Sequence, residues 1–148
     1  MAISRGAGTE IIRAHCHEAV NSTTRDLIIG VQYHIYTVLS MVCQAQAVAT
    51  DRNWIKVWLV CYDIVGGTTG RSCNIFQQDL VQYQTFVWND KFSFNGTEPT
   101  DFTATLDATK QDAVADQAQN TAQKLQIASE AAGDNIDIIT TFLDQNNA

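Results

Sequence analysis

At 148 residues, the chain is long enough for one domain, residues 1–148, that buries roughly two-thirds of the surface its unfolded form exposes. Its formal net charge is −7 and its nine Lys and Arg residues are scattered, which excludes a nucleic-acid partner, since phosphate binding needs clustered cations that release counterions. No apolar run approaches the roughly twenty residues needed to span a bilayer, and Met1–Gly8 lacks the apolar segment of a signal peptide, so a soluble chain made in a cytoplasm is expected.

Residues 1–8 read as an N-terminal arm, with Ile3 and Arg5 as candidate contacts to a partner surface. From Thr9 to Val20 apolar and polar residues alternate. This predicts a half-buried strand with Ile12, Ala14, Cys16 and Val20 on the core side and Arg13, His15 and His17 on the other. Turn chemistry over Asn21–Asp26 precedes a second, short strand at Leu27–Val31. Ile35–Ala47 alternates again and reads as a long third strand.

The stretch Asn53–Ile64 is apolar at both odd and even positions, broken only by Lys56. It predicts a strand at the centre of a sheet, with Trp54, Trp58 and Tyr62 on a second face that another layer or another chain must cover. Gly66–Gly70 is expected to be a hairpin connection to a fifth strand over Arg71–Leu80. A phosphate loop would open a helix and carry a lysine, and only Arg71 is near.

Gln84–Phe94 predicts a sixth strand with Phe86, Trp88, Phe92 and Phe94 on one core-building face, and the single proline marks a long exposed loop over Thr97–Asp101. Leu106–Ala132 is ambiguous, since Val114, Ala118, Ala122 and Leu125 fit helical spacing while Lys124–Ser129 alternates. The preferred solution is a short helix over residues 107–117, then a hairpin of Lys124–Ser129 with Ile136–Leu143 around the turn at Ala132–Asn135. The expected fold is all-β, a jelly-roll-like antiparallel β-sandwich of about eight strands with one short helical insertion.

Chemical motifs are sparse. Cys16, Cys43, Cys61 and Cys73 show no Cys-x-x-Cys pairing, and each lies in a strand-like run, so free, buried thiols are expected rather than a disulfide framework. In a strand His15 and His17 share a face while Cys16 points away, so a local Cys–His dyad is not expected. The two imidazoles could ligate a metal together with an acid or a symmetry-related chain, against the plainer reading of a polar face. His34 reads as a packed or hydrogen-bonded histidine, and Asp90, Glu98 and Asp101 lack the spacing of a calcium loop or an acid/base pair. No nucleophile or metalloprotease motif is present, so neither enzymatic activity nor a cofactor is expected. Trp54 and Trp58 beside Lys56 could stack on sugar rings or be covered by another subunit.

Three segments carry a resemblance. Met1–His15 (MAISRGAGTEIIRAH), Thr85–Phe102 (TFVWNDKFSFNGTEPTDF) and the ending Asp144–Ala148 (DQNNA) look like small structural proteins of tailed, especially marine, bacteriophages. The resemblance implies a compact β-sandwich virion component, assembling as symmetric copies on the capsid or tail. The expected role is a capsid decoration (cement) protein, a homotrimer bound to the major capsid protein. Trp54, Trp58 and Tyr62 are its candidate interface anchors and the N-terminal arm its strap. A tail or fibre component and a carbohydrate-binding module are the alternatives.

Overall fold

The structure, a computed structural model, describes residues 9–63, 68–98 and 121–146. Nine strands are described: β1 Thr9–Val20, β2 Arg25–Ile29, β3 His34–Ala47, β4 Asn53–Asp63, β5 Thr68–Leu80, β6 Thr85–Trp88, β7 Phe92–Asn95, β8 Lys124–Ser129 and β9 Asn135–Asn146. No described residue is helical. The expected helix over 107–117 and the arm with Ile3 and Arg5 lie outside the described residues.

All pairings are antiparallel. One sheet runs β1-β9-β3-β6, with β7 also on β3, and the other runs β2-β8-β4-β5. The two orders match position by position: β1 faces β2, β9 faces β8, β3 faces β4 and β6 faces β5 in the sequence of the sheets. Each facing pair is consecutive in the chain. With β6 and β7 counted as one interrupted strand, this is the winding of an eight-stranded jelly roll.

The interruption has a local cause. Strand β3 pairs β6 through Met41–Gln44 and β7 through Ile35–Val38. Its register with β9 slips between Val38 and Ser40, so the polar residues Asn89-Asp90-Lys91 bridge a bulge and leave the ladder. The aromatic face predicted for this region forms nonetheless. Phe76 packs on Phe86 and Trp88, Trp88 on Phe92, Phe92 on Phe94, and Phe94 on Tyr36, at centroid separations of 5.2–6.2 Å.

The core lies between the sheets. Val38, Met41, Cys43 and Ala45 of β3, Ile55 and Val57 of β4, Leu125 and Ile127 of β8, and Ile136 and Ile138 of β9 have no exposed surface. Two close backbone approaches fix one end of the sandwich. Gly30 donates to the Gln123 carbonyl at 2.8 Å, and Gly96 donates to the His34 carbonyl at 2.7 Å. A side chain on Gly30 would overlap the Gly96 carbonyl oxygen, and one on Gly96 would overlap the Val31 carbonyl oxygen. Only glycine lets these segments meet.

Several expectations are corrected. Strands β8 and β9 do not form a closing hairpin, because β8 pairs β2 and β4 while β9 pairs β1 and β3. The turn at 130–134 instead carries the chain from one sheet to the other. Asp134 organises it, accepting from the backbone amides of Ala49 at 2.9 Å and Ala131 at 3.0 Å and from the Asn53 side chain at 2.6 Å. Burial alone would raise its pKa, but these hydrogen bonds outweigh it and hold the carboxyl below its ordinary value. Thr97 and Glu98 are buried, not part of an exposed loop, since the Glu98 amide donates to the Thr121 carbonyl at 3.0 Å.

Candidate functional site

The first strand faces the opposite way from the expectation. Its register sets Arg13 beside Phe142, His15 beside Thr140 and His17 beside Ile138, all on the inner face of β9. Ile12, Ala14 and Cys16 are exposed on the outer face instead of entering the core, while Val20 is buried as expected. The polar residues go inward because partners wait there. The His15 ring stands edge-on to Phe142 at 5.5 Å, and Arg13 Nε lies 3.4 Å from Asp144 Oδ2.

These side chains line an open cleft of about 270 Å³ between the edge strands β1 and β2. Leu27, Ile28, Ile29 and Val31 form one wall, with Tyr36, Phe142 and the pair His34–Asp144 opposite. Asp144 Oδ1 lies 2.7 Å from His34 Nδ1, and His34 stacks on Tyr36, so this histidine is packed and hydrogen-bonded as its position suggested. His17, deeper on β1, has a buried Nδ1 without a hydrogen-bond partner. Burial first, then the charges of His15 and Arg25, push its pKa below the ordinary value. Among the described residues no group of His, Cys, Asp or Glu completes a metal site with His15 and His17.

The outer face of the β2-β8-β4-β5 sheet carries the predicted aromatic residues. Lys56 Nζ sits over both indoles, 5.4 Å from the Trp54 ring centroid and 5.2 Å from that of Trp58. Trp58 Nε1 donates to Gln126 at 3.0 Å, and Gln126 donates to Asp26 at 2.7 Å. Tyr62 packs against Gly70, which adopts φ +63°. Both tryptophans and Tyr62 are therefore half-buried by neighbours in their own sheet, and charged residues interleave them.

The outer face of the other sheet is different, and the sequence pattern did not single it out. In register across four strands run Cys16 (β1), Ile139 (β9), Val42 (β3) and Val87 (β6). The neighbouring rows hold Ile12 with Leu143 and Thr37, and Ala14 with Thr141 and Ser40. Ile12 is 68% exposed, Val87 55% and Ile139 44%. Charge enters at the margins, through Glu10, Glu18 and Asp137 at the strand ends and through Asp90 and Lys91 at the break between β6 and β7. Alternation on β1 and β3 held the signal, but only the strand order shows that these residues share a row.

All four thiols are free, as expected, yet only Cys43 is buried; Cys16 and Cys73 are exposed and Cys61 is intermediate. Burial pushes the Cys43 pKa up to about 12, and burial first, then the neighbouring thiol of Cys73, raises that of Cys61.

Fold and surfaces together define an all-β protein of two antiparallel sheets with broad outer faces and no assembled catalytic group among the described residues. No protein-family model matches the chain, and no curated protein matches it in sequence. Similar solved structures include a chain from Bacillus endospore appendages, described as forming disulfide-linked pili, at 11% identity and TM-score 0.44, covering 100% of this chain and 97% of that one. A chain of Broad Bean Stain Virus is 14% identical with TM-score 0.45, covering 96% and 89%. A chain of the T13 viral particle of infectious bursal disease virus is 10% identical with TM-score 0.42, covering 99% of this chain and 37% of that one. Likeness at this level assigns no activity, ligand or partner to the chain.

Proposed function

We propose that the protein is a non-enzymatic structural component of a tailed-phage virion, a capsid decoration protein that works through contacts between protein surfaces. The observation that carries the reading is the outer face of the β1-β9-β3-β6 sheet, whose apolar row spans all four strands and whose charged residues stand only at its margins. Interface centres are depleted of charge, whereas the free surface of a chain carrying net charge −7 is not expected to hold so wide a neutral field. The jelly-roll winding suits this role, because it displays the outer faces of two sheets on one packed core, although the fold alone serves many functions. The sequence resemblance to phage structural proteins gives the assembly its setting.

Trp54, Trp58 and Tyr62 remain the second candidate contact, facing the shell from the opposite sheet, and Ile3 and Arg5 the strap. A tail or fibre location uses the same surfaces. A carbohydrate-binding role is favoured by one observation only, the pair of tryptophans flanking Lys56, and requires Lys56 to leave the indole faces so that a sugar can stack there.

The test is co-sedimentation of the purified chain with the shells of a phage that carries it, followed by thermal release of the packaged genome. Binding that raises the release temperature supports decoration. A chain that ignores shells but binds a glycan panel through Trp54 and Trp58 overturns it. Trp58→Ala separates the two surfaces, since unchanged shell binding removes this residue from the anchor set.

A further inference from the structure

The geometry points to a second copy of this chain as the occupant of the neutral sheet face, in a two-fold pair that stacks the β1-β9-β3-β6 sheets of two molecules. The proposal rests on the reading of the chain as an assembly protein and goes beyond it in naming the partner and the contact.

Size is the first argument. Four strands at about 4.8 Å spacing and about 12 residues at 3.3 Å rise give a face of roughly 20 by 40 Å, about 750 Å². Standard interfaces bury about 800 Å² per partner, so one such face pressed on another meets the requirement of a stable pair. Sheets of this kind stack readily, about 10 Å apart.

Self-complementarity is the second. A two-fold axis parallel to the strands, passing between β9 and β3, exchanges β1 with β6 and β7 and exchanges β9 with β3. The row Cys16-Ile139-Val42-Val87 then lies on its own image: Cys16 meets Val87 of the second copy, and Ile139 meets its Val42. The same operation decides the charges. Glu10 shares its row with Gln145, Ile35 and Asn95, so it meets Asn95 of the second copy. Asp137 shares its row with Gln44 and Thr85, so it meets Gln44. Glu10 and Asp137 thus each face a neutral residue on the β3-β6 half. Two copies of an acidic chain can therefore stack without setting like charges in contact, whereas nothing on the face offers a basic partner a carboxylate at its centre.

The predicted solution unit is this pair, in place of the trimer expected from the sequence. The first experiment is light scattering of the full chain, with the expected result a mass twice the 16.3 kDa of one chain. Ile139→Glu puts two symmetry-related carboxylates at the axis and should halve the mass while leaving the far-ultraviolet circular dichroism unchanged, because the residue is on the outside. Trp58→Ala, on the other sheet, should leave the mass doubled. The axis itself is tested by Val87→Cys in a Cys73→Ser background, where a short bis-maleimide, long enough to span the gap between stacked sheets that a disulfide cannot, should cross-link position 87 to Cys16 of the second copy. A monomer, a trimer, a pair that survives Ile139→Glu, or a pair without the cross-link each overturns the proposal. Shell binding by a monomeric chain would sink the pair and spare the decoration role, so the two failures are distinct.

Discussion

Removing the carboxylate of Asp134 should cost more than any substitution of an exposed residue, because this one side chain holds the crossing between the sheets. It is 4% exposed and accepts from Ala49, Ala131 and Asn53 at 2.6–3.0 Å. Hydrogen bonds to a charged group contribute about 1.5–3 kcal/mol each, and they are not additive, so Asp134→Ala is expected to lose about 3–5 kcal/mol. That is a large share of the roughly 5–15 kcal/mol by which proteins are stable. Urea unfolding followed by tryptophan fluorescence reads the effect. With a slope of about 2 kcal/mol/M, the midpoint should fall by about 1.5–2.5 M. Asp134→Asn, which keeps an acceptor oxygen, should retain part of the loss. Because the folded carboxyl titrates below its ordinary value, this contribution is complete above about pH 4 and disappears as acid takes the pH down through the folded pKa. A midpoint shift in Asp134→Ala worth less than about 1 kcal/mol would refute the assignment of Asp134 as the organiser of the turn.

Three further outcomes are expected. Gly96→Ala drives a methyl into the Val31 carbonyl and should lower stability by at least about 2 kcal/mol in the same urea assay; an unchanged midpoint would mean that the two segments do not meet as described. Under a thiol reagent at neutral pH, Cys16 and Cys73 should react in the monomeric Ile139→Glu variant, while Cys43, buried and with its pKa pushed up to about 12, should be labelled only on unfolding, as mass spectrometry of the digested protein can establish. His17 resists protonation when folded, so the unfolded chain takes up the proton first. Stability is therefore full above about pH 6.5 and falls as the pH drops towards the lower folded pKa. His17→Gln should flatten that slope below about pH 6.5, and a slope unchanged by the substitution would clear His17 of the effect.

Strand positions were legible because alternation and turn residues are local. The boundaries of β1, β3 and β4 fall within a residue of those expected, and the aromatic face of β6 and β7 assembles as its spacing required. What could not be read was which side of a strand meets the core. For β1 the choice is made by Phe142 and Asp144, on the strand paired with it from the far end of the chain, which give His15 and Arg13 partners inside. The rule that apolar residues go inward then mistook Ile12, Ala14 and Cys16 for core. The same limit hid the change of sheet after β8. Lys124–Ser129 and Asn135–Asn146 flank a short turn as a hairpin would, and only the long-range register with β4 and β3 separates them. Trp54 and Trp58 were placed correctly on the second face of β4, but their cover comes from Lys56 and Gln126 of their own sheet.

The insertion of β9 between β1 and β3 sets the order of events during synthesis. Among the described strands β9 is the last to be translated, yet it is an inner strand whose ladder both of its neighbours need. Until β9 emerges from the ribosome, β1 has no hydrogen-bonding partner in its sheet and one edge of β3 stands open. The loop closed when β9 enters spans nearly the whole described chain, which makes closure slow compared with the β4–β5 hairpin. The nascent chain must therefore be kept from pairing with other copies until β9 emerges, and the edges that β9 later covers are its principal route to aggregation.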